Sequence, residues 1–76
     1  MDKDFKTIKE LYLDWIESEK IYKEEIFSPF NLSTMNYKQG KLEGFLMAKN
    51  LYIVDSDDKL RICDKITFKT MKTFKL

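Results

Sequence analysis

Seventy-six residues, 43% hydrophobic and 36% charged, fit one small globular domain and not a disordered chain. A chain this short buries only about 60% of the surface its unfolded form exposes, so a partner or a second copy is a common supplement to its small core. It has no histidine and one cysteine, which excludes histidine-based acid–base catalysis, histidine metal ligation and an internal disulfide. The net charge of +1 hides an uneven distribution. Residues 1–58 carry eight Lys against twelve Asp or Glu, a balance of −4, and residues 59–76 carry +5. The acidic body and basic tail either attract one another or offer the tail to an acidic partner.

Residues 4–27 predict a long amphipathic helix, with Asp2 or Asp4 as its cap. At about 100° per residue, Phe5, Ile8, Leu11, Tyr12, Trp15, Ile16, Tyr22 and Ile26 share one face, and Lys6, Lys9, Glu10, Glu17, Lys20 and Glu24 lie opposite. Glu19 interrupts the apolar stripe, with Lys23 one turn on, and Leu13 and Ile21 fall outside it.

Pro29 ends that helix, because its ring cannot continue the hydrogen-bond ladder and disfavours helical backbone at Ser28. Asn31, Ser33 and Thr34 are the N-cap candidates for a second helix over 34–50. That helix carries both glycines of the chain, Gly40 and Gly44, in a row of small residues completed by Ala48, with Tyr37 and Met47 on the same side. Met35, Leu42, Phe45 and Leu46 form a second apolar sector, so the helix is expected to be covered on two sides. Rows of small residues let backbones approach closely. The row is expected to seat Trp15 or Tyr12 of the first helix, or to meet a helix from a second copy or a target, unless Gly40 ends a turn and the helix starts later.

The period then changes from helical to alternating. Leu51 to Val54 and Leu60 to Cys63 read as a β-hairpin about a turn rich in Asp and Ser. Residues 66–76 fit a third strand, with Ile66, Phe68, Thr70, Phe74 and Leu76 on one face, or a two-turn helix built on Phe68, Met71 and Phe74; the strand is preferred for its threonines. The fold class is therefore α+β: one domain over 1–76, two helices, a hairpin and a third antiparallel strand.

The sequence offers no catalytic, cofactor-binding or metal-binding residue. The two glycines lack the context of a phosphate loop. Cys63 has no activating histidine and reads as a small apolar strand residue. Asp55, Asp57 and Asp58 begin like a calcium loop, but Leu60 stands where glycine is needed and Ile66 where a bidentate glutamate is needed. No enzyme is expected, and no cofactor.

The stretch YKQGKLEGFLMAKNL resembles the Y-x-x-G-x-x-x-G helix of small accessory proteins of Gram-positive bacteriophages and mobile elements. That resemblance implies a non-enzymatic regulator or inhibitor that binds a host protein or a component of a bacterial defence system. AKNLYIVDSDDKLRIC is similar to the wing hairpin of winged-helix DNA-binding proteins, which implies a transcriptional regulator as the alternative. The expected contacts are Trp15, Tyr37, Gly40, Gly44 and Ala48 for helix packing or an interface, and Lys69, Lys72 and Lys75 for electrostatic attraction. The expected partner is a protein, with homodimerisation open and nucleic acid second. With one cysteine and no apolar run long enough for a signal peptide or a membrane span, the expected compartment is the cytoplasm.

Overall fold

The computed structural model describes residues 2–24 and 29–76. It contains two helices, α1 (Asp2–Glu24) and α2 (Pro29–Ala48), followed by three strands, β1 (Leu51–Asp55), β2 (Lys59–Asp64) and β3 (Thr70–Lys75). The strands form one antiparallel sheet in the order β1-β2-β3. This is the expected α+β fold, and the third strand is a strand.

The apolar stripe of α1 does what its spacing requires. Phe5, Ile8 and Tyr12 are buried, and Leu11, Trp15 and Ile16 pack half-buried against the same core. Asp2 and Asp4 lie in the first turn, where the positive end of the helix dipole favours them. Glu19 stays half-wet and meets Lys23, Nζ to Oε1, at 3.3 Å. Ser18 is buried although no apolar spacing marks it; its hydroxyl donates to the Trp15 carbonyl at 2.7 Å. The expected end of α1, with Ile26, lies outside the described residues.

α2 begins at Pro29, five residues before the expected start. Proline suits a first helical position because its missing N–H would have no partner there, and its φ is already helical. Thr34 therefore caps nothing. Its hydroxyl donates back to the Phe30 carbonyl at 3.2 Å, inside the helix. Lys49 Nζ lies 3.6 Å from Asp4 Oδ2, so the end of α2 sits beside the start of α1 and the helices run antiparallel. After Ala48 the chain closes with Lys49 N–H on the Leu46 carbonyl and Asn50 N–H on the Met47 carbonyl. Asn50 has φ 54°, the left-handed conformation that asparagine tolerates better than most residues at a helix end.

The core lies between the helices and the inner face of the sheet, where Leu42 and Leu46 meet Leu51, Leu60 and Ile62. Along β2, Leu60 and Ile62 point inward and Lys59 and Arg61 point out. Ile66 and Phe68 were expected on a strand face, but they occupy the β2–β3 loop and are 75% and 73% exposed. The Asp64 carboxylate draws the chain into that loop: its Oδ1 accepts Ile66 N–H at 2.7 Å and Thr67 N–H at 2.9 Å. The two bonds hold its carboxyl below the usual carboxylate range, Thr67 contributing more than Ile66. Phe68, at φ 61°, returns its N–H to the Asp64 carbonyl and rests its ring edge-on against Tyr52. Only Phe74 of β3 reaches the core.

Candidate functional site

The glycine row does not seat the first helix. Gly40, Gly44 and Ala48 are exposed, and a Cβ added to either glycine would meet nothing within 4 Å. The reason is rotational: residues 35, 38, 42, 45 and 46 turn toward α1 and the sheet, and the row lies on the opposite side of the cylinder. Tyr37 and Met47 share the outer side and are 67% and 68% exposed. So α2 is covered on one side, where two were expected. Neither glycine has a positive φ, and both belong to the helix, not to a turn.

A stability measurement follows from that geometry. Replacing Gly40 and Gly44 together by alanine should raise unfolding stability by roughly 1–2 kcal/mol, since each glycine costs about 1 kcal/mol in a helix interior. Urea denaturation is the check. A loss of stability would mean that another surface of this chain packs against the row.

Trp15 is separated from the glycine row and belongs to a different feature. It lines a cleft of about 420 Å³ between α2 and β1. Leu42 and Leu46 add apolar lining from α2, along with Gln39, Glu43 and Met47. β1 contributes Leu51, Ile53 and Asp55, with Tyr52. The ionisable carboxylates here, Glu43 and Asp55, are both acidic, and no lysine or arginine lines the cleft. Asp55 is held by Tyr12, whose hydroxyl donates to Oδ2 at 2.9 Å. Burial, and then this hydrogen bond to a carboxylate, push the Tyr12 phenol up to about 12.

The three tail lysines do not act as one patch. Lys72 pairs with Ile62 and Phe74 with Leu60, so both lie on the helix side of the sheet. There the Phe74 ring has two ammonium groups near it, Lys9 at 5.0 Å and Lys72 at 5.5 Å from the centroid. Lys75 pairs with Lys59 on the outer face, and Lys69 lies in the β2–β3 loop. The outer face is basic through Lys59, Arg61 and Lys75, a grouping that only strand register reveals. Cys63 is buried in β2, opposite Tyr52, with its sulfur 3.9 Å from Thr70 Oγ1. No group of residues able to hold a metal ion occurs among the described residues, and no described helix is long and apolar enough to cross a membrane.

No family model, no curated protein and no solved structure matches this chain.

Proposed function

We propose that the chain is a non-enzymatic protein-binding regulator or inhibitor, and that the cleft between α2 and β1 is where its partner docks. One observation carries this reading: an apolar cleft, lined by the lone tryptophan, opens beside a strand that is paired on one side only. Concave apolar sites with a few convergent polar groups are the ordinary form of a recognition surface. Tryptophan and methionine at the rim are residue types enriched at interfaces. The resemblance of the second helix to phage accessory proteins suggests a host protein or a defence component as the target.

Photocross-linking in the source cell, from a benzoylphenylalanine placed at Met47, tests the reading. The expected result is one captured protein, whose purified form binds the parent chain at least tenfold more tightly than Met47→Glu. Met47 is well exposed, so that variant should fold normally. Equal binding by both chains would overturn the cleft as the docking surface. So would high affinity for duplex DNA that falls steeply with salt, because counterion release marks a phosphate-binding protein.

A further inference from the structure

The identity of the occupant can be read from the backbone of β1. In an antiparallel pair, residues alternate between turning their peptide groups toward the neighbour and away from it. Two hydrogen bonds fix the phase here. Ser56 N–H donates to the Lys59 carbonyl at 3.0 Å, and Lys65 N–H donates to the Asn50 carbonyl at 2.9 Å. Asn50, Tyr52, Val54 and Ser56 therefore face β2. Leu51, Ile53 and Asp55 direct their N–H and C=O groups to the free edge. Those three residues also line the cleft. The edge thus presents a row of main-chain donors and acceptors to the same space that Trp15, Leu42 and Leu46 make apolar.

An unpaired strand edge is a template for another strand. Beside an apolar groove it offers two things at once: main-chain hydrogen bonds for affinity and a pocket for alternate side chains. We infer that the occupant is an extended, basic peptide segment of a partner protein, which adds to β1 as a fourth strand. β1 spans five residues, or about 17 Å at 3.4 Å per residue, enough to pair with four or five residues of a partner. The basic character follows from charge complementarity, since Glu43 and Asp55 are the charged groups of the cleft. The same argument disfavours a second copy pairing β1 with β1. That strand reads LYIVD, so it would bring another Asp55 and no cation to an acidic site.

This inference rests on the protein-binding reading above, and its test separates the two. The full chain is used to select binders from a random dodecapeptide library, and amide hydrogen exchange is measured by NMR with and without a selected peptide. The expected peptides alternate β-branched or aromatic residues with Lys or Arg. On binding, exchange at Leu51, Ile53 and Asp55 should slow at least tenfold, while Tyr52 and Val54, already bonded to β2, change little. A second arm uses Ile53→Pro, which removes one edge N–H and leaves the β2 ladder intact. It should lose at least tenfold in peptide affinity. Peptides that perturb Trp15 fluorescence without slowing the three edge amides would overturn strand addition and leave the cleft as a docking site. Failure to select any peptide that perturbs Trp15 would overturn both. Protection of the edge amides in the free chain, rising with its own concentration as a dimer forms, would show that the occupant is a second copy and overturn the foreign peptide.

Discussion

Leu60→Ala is expected to remove 2–5 kcal/mol of unfolding stability, a large part of the total for a domain of this size, which at 0.05–0.15 kcal/mol per residue comes to roughly 4–11 kcal/mol. Leu60 is 0% exposed near the start of the middle strand, in one buried cluster with the apolar faces of both helices. Its truncation would leave a cavity between three elements, and the rigid sheet beneath it can relax only in part. Val54→Ala is the matched control. Val54 lies one strand away and is 38% exposed, so its loss should cost about 0.5 kcal/mol or less. Urea melts followed by far-ultraviolet circular dichroism separate the two. Similar midpoints for both variants would show that the core does not lie between the helices and the sheet.

The second large effect is a loss of stability at high pH that belongs to Tyr12. Its phenol titrates near 12 in the folded chain, and near 10 when unfolded. The folded state therefore keeps a proton that the unfolded state has released. The contribution is whole below pH 10 and is lost as pH rises toward 12, by about 1.4 kcal/mol at pH 11 and about 2–3 kcal/mol in full. Tyr12→Phe isolates this contribution. At pH 8 the parent should be the more stable by about 1 kcal/mol, the usual net worth of a hydrogen bond. By pH 11 that advantage should be gone. A parent-minus-variant difference that stays constant from pH 8 to 11 would mean that the Tyr12–Asp55 bond is not formed in solution. The bond also matters to the cleft, because it fixes one carboxylate oxygen of Asp55 and orients the other.

Several parts of this architecture were legible from the chain. The α1 stripe could be read because a single apolar sector repeats with the helical period, leaving one way to bury Phe5, Ile8 and Tyr12. The hairpin could be read because two short runs with strand-like alternation, Leu51 to Val54 and Leu60 to Cys63, flank a turn of Asp and Ser. The start of α2 is not legible from local signals, because three capping residue types at 31, 33 and 34 compete with a proline that serves equally well as a first helical residue. Ile66 and Phe68 fit strand alternation, but a side chain decided their fate: Asp64 captures the backbone N–H groups that a strand would have needed.

The candidate site was less legible. Trp15 stood out by type, but its neighbours Glu43, Ile53 and Asp55 come from elements far apart in sequence. No local pattern links a helix rim to a strand edge. The two apolar sectors of α2 pose the same problem, because spacing alone gives each of them an equal claim on the core. The sequence by itself determined the element order, the buried face of α1 and the absence of histidine chemistry, since each depends on local period or on composition. Only the tertiary structure decided which side of α2 is covered, which lysines share a face and which peptide groups of β1 stay unpaired. Those choices rest on how helices and strands rotate to bury the most apolar surface together, a property of the packed assembly that no single segment carries.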